Sequence, residues 1–171
     1  MNSKESDFTK IIDTLTKYEV EFIIVGGVCA VLHGAPVTTF DLDIVHNRSL
    51  ENIEKLLNAL RELEAYYRIR SDIQIEPDKS GLALPGHHLL ITNAGPLDVL
   101  GTIGESEDYS DLIKDVGVIE ISGKKVQLQG LESLIKIKKF LGAEKDRAVI
   151  SILQRTLEEK KKQRKDSTNN V

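Results

Sequence analysis

The stretch FIIVGGVCAVLHGAPVTTFDLDIV, residues 22–45, constrains the fold more than any other part of the chain. An apolar run ends in Gly26-Gly27, a short helix-like segment follows, and a second apolar run carries Asp41 and Asp43 two positions apart. Side chains alternate faces along a strand, so the two aspartates point the same way while Leu42 and Ile44 pack on the opposite face. Two carboxylates side by side repel each other and gain nothing from packing. A divalent cation removes that conflict, and an all-oxygen donor set suits Mg2+ or Mn2+. Glycines without Cβ atoms let the backbone approach a phosphate, and N–H groups at a helix start favour an anion. The same Gly-Gly exit also serves as a plain tight turn.

A third carboxylate strengthens the metal reading. Asp98 interrupts the apolar run Leu97–Leu100, a costly position unless the group is paired or metal-bound. If its strand lies beside the one carrying Asp41 and Asp43, three carboxylates converge. Two metals clamped by such a set serve in-line phosphoryl displacement, with Asp98 as candidate base.

Around this segment the patterning predicts an α+β chain: a mixed sheet with helices packed on it and a helical C-terminal segment. Residues 7–18 have helical spacing, and Ser49 caps a second helix carrying Leu50, Ile53, Leu56, Leu57 and Leu60 on one face. An irregular strand fits 66–76, and residues 77–81 read as a turn. Residues 88–92 and 97–102 flank an Asn-Ala-Gly-Pro turn, and 116–121 and 125–128 flank Ser-Gly-Lys, so both pairs read as hairpins. Two helices follow, near 131–141 and 144–160, separated by Gly142. The expected unit is 1–157, with a core at about 20–128, a helical end at 131–157 and a charged, disordered tail from Lys160.

Composition narrows the function classes. A net charge of −4 on 171 residues argues against a surface coated in positive charge for nucleic acid. One cysteine, Cys29, excludes an intramolecular disulfide and a Cys-rich zinc site, and its apolar setting reads as a buried small hydrophobe. The polar start and the lack of an eighteen-residue apolar run point to a cytoplasmic protein with no membrane span. His87 and His88 have no third ligand at recognisable spacing and read as strand-edge residues. His33 reads as a helix-end residue, and His46 ends the aspartate strand. Lys136, Lys138 and Lys139 form a basic helix face, and the tail from Arg155 to Lys165 either tracks an RNA backbone or solubilises the end.

The order Gly26-Gly27, Thr38-Thr39-Phe40-Asp41-Leu42-Asp43 and then Asp98 in an apolar strand resembles the DNA polymerase β-like nucleotidyltransferase superfamily. The likeness is closer to small prokaryotic domains, including those of the abortive-infection toxin type. The run LESLIKIKKFLGAEKDRAVISIL resembles their helical end, with Lys138 and the pair Lys145-Asp146 in the family pattern. The resemblance covers most of residues 20–155. It implies transfer of a nucleoside monophosphate from an NTP to a hydroxyl, with Asp41, Asp43 and Asp98 as Mg2+ or Mn2+ ligands. Gly26 and Gly27 would contact the phosphates, and Lys138 or Lys145 would neutralise triphosphate charge. It favours RNA or protein over a small molecule such as an aminoglycoside as acceptor, and a toxin–antitoxin module with a cognate partner protein. Small relatives form homodimers or bind a helical partner, for which the apolar face of residues 7–18 is a candidate. A fold that binds nucleotide or a partner without turnover is the alternative. Three departures motivate it: Val37 and Ala143 stand where relatives carry arginine, and Val149 where they carry aspartate.

Overall fold

The computed structural model describes residues 6–69, 73–142, 144 and 146–168. Seven helices and nine strands are described. In chain order they are α1 (Phe8–Lys17), β1 (Phe22–Val25), α2 (Gly26–Leu32), β2 (Leu42–His46), α3 (Leu50–Glu62), β3 (Tyr66–Tyr67) and α4 (Lys79–Leu82). Then come β4 (His87–Thr92), β5 (Gly95–Leu100), β6 (Thr102–Ile103), β7 (Glu107–Asp108), α5 (Tyr109–Leu112), β8 (Val116–Ile121), β9 (Lys124–Gln129), α6 (Leu131–Leu141) and α7 (Asp146–Thr168).

Seven strands form one mixed sheet in the order β3-β4-β5-β2-β1-β9-β8, while β6 and β7 pair separately. The expected hairpins are present: β4 pairs antiparallel with β5, and β8 with β9. Two parallel pairings at the centre, β2 with β5 and β1 with β9, tie these hairpins to the β1–β2 pair. This is the α+β architecture that the patterning predicts.

Strand alternation divides the apolar residues between two cores. Ile24 of β1, Leu42 and Ile44 of β2, and Leu97 and Val99 of β5 face the larger one, where Ile11 and Leu15 of α1 and Ile53, Leu56 and Leu60 of α3 cover the sheet. The apolar face of α1 is therefore core rather than a contact for a partner. Ile23, Val25, Val45 and Leu100 face the other way and meet Leu112 and Ile137 in a smaller cluster. The second face is only partly filled, and that incompleteness leaves room for the site.

Local chemistry sets the helix ends. Asp7 and Ser49 accept hydrogen bonds from the backbone N–H groups of Lys10 and Asn52 and so cap α1 and α3. Asn52 is buried and ties the turn before β1 to the turn after β2: its amide accepts from Glu21 N (2.7 Å) and donates to Glu21 O (3.0 Å) and Asn47 O (2.7 Å). Gly142, at φ +61, closes α6 in the left-handed conformation.

Two boundaries differ from the sequence expectation. Residues 77–81, read as a turn, include most of α4, capped by Asp78, whose side chain accepts from Gly81 N. Helix α7 runs to Thr168, past the start of the expected disordered tail at Lys160. The run from Glu158 to Lys165 is Glu, Lys, Arg and Gln, all strong helix formers. Two side chains also tether it to the body: Lys161 pairs with Glu132 of α6, and Lys160 reaches His33. No helix among the described residues is long and apolar enough to cross a membrane.

Candidate functional site

Asp43 lies in β2 and Asp98 in β5, and the parallel register sets their Cα atoms opposite each other. Both belong to the alternate positions that face away from the large core. Asp41 precedes β2, so its approach comes from the chain entering the strand rather than from strand alternation. One carboxylate oxygen from each of Asp41, Asp43 and Asp98 lies within 4.8 Å of the others. The three aspartates singled out in the sequence therefore converge.

The glycine pair shapes this cluster by allowing close packing. Gly26 has φ +67, and a Cβ there would stand 2.3 Å from Asp43 Oδ2. A Cβ on Gly27 would stand 2.5 Å from Thr39 Oγ1, and Thr39 in turn donates to the Asp41 carbonyl (3.1 Å). The Gly27 backbone N–H favours the ionised form of the Asp43 carboxylate.

The electrostatics are those of crowded anions. Burial first, and then the charges of Asp41 and Asp98, push the Asp43 carboxyl up to about 7 against the opposing pull of Gly27 N–H and Lys138. Asp98 is also raised, by burial first, with Arg68 pulling the other way. Such a set of hard oxygen donors fits a divalent cation, which would favour the ionised form of each group.

A cleft of about 310 Å3 opens beside the cluster. Val25, Leu89, Leu100, Ile103, Leu134 and Leu141 make its walls largely apolar, and Gly26, Asp43, Asp98 and Lys138 give it one charged end. Lys138 projects from α6, its Nζ 3.3 Å from Asp146 Oδ1 at the start of α7. Lys145 lies outside the described residues, as does Ala143. Val149 packs partly buried against the large core, where the resemblance would have an aspartate.

Arg68, just after β3, was not singled out in the sequence. Its Nη2 forms an ion pair with Asp98 Oδ1. Its backbone N–H donates to Leu89 O (3.0 Å), and Leu89 stands in register with Asp98. The arginine thus reaches across β4 to the third carboxylate. Its signal in sequence is faint, because the reach depends on a two-residue strand pairing with β4.

The histidines stand outside the acidic cluster itself. His46 is fully buried, with Nδ1 3.1 Å from Leu100 O and Nε2 2.9 Å from Leu82 O, so it links the end of β5 to the end of α4. His88 is buried too, contrary to a solvated edge, and its Nδ1 lies 2.6 Å from the Tyr67 hydroxyl. His87 is exposed, lines the cleft and contacts Thr102 O (2.9 Å). His33 follows α2, its Nε2 2.7 Å from Gln129 O.

The architecture recurs in solved structures. TM1012 from Thermotoga maritima, a nucleotidyltransferase by assignment, superposes with a TM-score of 0.55 at 22% identity, over 86% of this chain and 91% of its own. The lincosamide antibiotic adenylyltransferase LnuA, bound to lincomycin, gives 0.59 at 14% identity, over 88% of this chain and 98% of its own. The antibiotic-resistance factor ANT(2'')-Ia gives 0.52 at 12% identity, over 96% of both chains. The fold is that of nucleotidyltransferases. No family model and no curated protein sequence matches the chain. This nucleotidyltransferase fold carries its acidic cluster on β5 and on the chain entering and forming β2.

Proposed function

We propose that the chain is a metal-dependent nucleotidyltransferase that moves a nucleoside monophosphate from an NTP to a hydroxyl acceptor. The observation behind this reading is the convergence of Asp41, Asp43 and Asp98 at one end of an apolar cleft in a nucleotidyltransferase fold. In the proposed reaction the acceptor oxygen bonds to the α-phosphorus, the bond from that phosphorus to the bridging oxygen breaks, and pyrophosphate leaves.

Asp41, Asp43 and Asp98 would hold Mg2+ or Mn2+. Bound there, the cation supplies Lewis-acid neutralisation of phosphate charge and lowers the pKa of the acceptor hydroxyl. Asp98 is the candidate base for the acceptor proton, because burial makes its carboxyl more basic than an exposed aspartate. Gly26 lets the backbone come close at the cleft wall. Lys138 adds positive charge beside Asp43, and Lys145 is a candidate for the same role. The apolar walls suit the face of a nucleobase.

RNA or protein is the favoured acceptor class. The exposed basic run on α7, with Lys162 and Lys165, supports it. A small-molecule acceptor is the second reading, motivated by the adenylyltransferase of lincosamides that shares this fold over nearly its whole length. The experiment uses each α-labelled NTP with Mg2+ or Mn2+, offered with total tRNA, with a protein extract and with a panel of hydroxylated antibiotics. Label should move to one acceptor class and stay on the nucleotide with Asp41→Ala/Asp43→Ala. Transfer that persists in the double variant would overturn the reading. Growth arrest on expression, lost in Asp43→Ala, would support a toxin role.

A further inference from the structure

Arg68 stands where the charge balance of the site leaves a gap. Of the cationic side chains at the cluster among the described residues, Lys138 is bound to Asp146, and the positions of two cations implied by the resemblance carry Val37 and Ala143. Arg68 reaches the cluster from a different strand, crossing β4 beside Leu89 to meet Asp98. Its side chain is 27% exposed, against 11% for Asp98, so the guanidinium is the more solvent-accessible of the two partners.

We propose that Arg68 is an exchangeable counter-ion: it pairs with Asp98 and transfers to the nucleotide's phosphates when metal and nucleotide bind. This rests on the metal-dependent reading above. A divalent cation at the three carboxylates competes with the guanidinium for Asp98 and repels it. A triphosphate offers the displaced guanidinium a bidentate partner of higher charge. The planar fork has five N–H donors, so it can serve either anion, which a strongly hydrated ammonium does less well. Arg68 thereby couples the two ligands: it weakens metal binding alone and strengthens nucleotide binding once the metal is present.

The test measures binding rather than turnover. Mn2+ affinity is read by electron paramagnetic resonance of free Mn2+, without nucleotide. Nucleotide affinity is read by calorimetry with the α,β-methylene analogues of the four NTPs at saturating Mn2+. Arg68→Ala should tighten Mn2+ binding by about threefold to tenfold and weaken analogue binding by about tenfold, as expected for removal of one charge-assisted contact. Arg68→Lys should leave Mn2+ affinity near that of the unaltered protein and still weaken analogue binding. Circular dichroism of both variants guards against misfolding, with Arg68→Gln as a second neutral form. Unchanged affinities in Arg68→Ala, or weaker Mn2+ binding, would overturn the exchange while leaving the metal site standing. An unaltered protein that binds Mn2+ no better than Asp43→Ala would overturn both the exchange and the reading beneath it.

Discussion

Asp43 and Asp98 face each other across a parallel strand pair although 55 positions separate them. The register that sets them opposite also sends Leu42, Ile44, Leu97 and Val99 into the large core. Burial of those residues therefore fixes which way the carboxylates point, since a slip of one residue would exchange the two sets.

Asp43→Asn keeps the shape of the side chain and removes its charge. Mn2+ binding should fall at least tenfold and nucleotidyl transfer at least a hundredfold, on the order expected for loss of a metal ligand. The melting temperature of the metal-free variant should be no lower than that of the unaltered protein. Mn2+ titration and calorimetry check this; unchanged Mn2+ affinity would count against the cluster as a metal site.

The acidic cluster also sets a pH dependence of stability. The Asp43 carboxyl is raised from 3.8 to about 7 in the folded state. Between those values the folded state holds a proton that the unfolded state has lost, so stability falls as pH rises through the window. At about 1.4 kcal/mol per pH unit the effect is at most about 4 kcal/mol, and Asp98 acts in the same direction. Metal-free protein should melt at higher temperature at pH 5 than at pH 8. Millimolar Mg2+ should raise the melting temperature more at pH 8 than at pH 5, and Asp43→Asn should flatten the slope. A melting temperature that rises with pH in the absence of metal would contradict this.

Gly26→Ala tests the close approach. The new Cβ would lie 2.3 Å from Asp43 Oδ2, on a backbone at φ +67 that alanine rarely adopts. The variant should lose about 1–3 kcal/mol of stability and most of its metal affinity. Gly86→Ala, where nothing lies within 4 Å of the added atom, is the control and should change neither. Equal effects in the two variants, measured by urea unfolding and Mn2+ titration, would remove the steric argument.

Cys29 should resist thiol reagents in the folded protein. It is fully buried, its Sγ lies 3.3 Å from Gln129 O, and burial pushes its thiol up to about 12. Labelling should require unfolding and should appear in urea at the same midpoint as the loss of circular dichroism. Rapid labelling in native buffer would show that α2 opens independently.

Much of this site is legible in sequence because period-two alternation and chemistry coincide there. Asp43 and Asp98 are charged residues inside apolar runs, and only a sheet that brings those runs together makes sense of both. Asp41 was expected on the strand face with Asp43; it reaches the cluster from the preceding segment, where Thr39 and Gly27 pack against each other. Arg68 was not legible, since its role depends on a two-residue strand crossing beside β4 rather than on any local pattern. The last turns of α7 were hidden for the opposite reason. Charge-rich sequence reads as solvated chain until Glu132 and His33 are seen to tether it.

The order in which the chain is synthesised gains meaning from the sheet order. Gly26, Asp41, Asp43 and Asp98 all emerge within the first 98 residues, whereas α6, which carries Lys138 and closes the cleft, begins at Leu131. The pairing of β1 with β9 joins Ile23 to Gln127 and closes a loop of about a hundred residues, an entropically late event. A nascent chain can therefore assemble its acidic cluster on the ribosome while one wall of the cleft is still unmade, and α6 completes the enclosure afterwards.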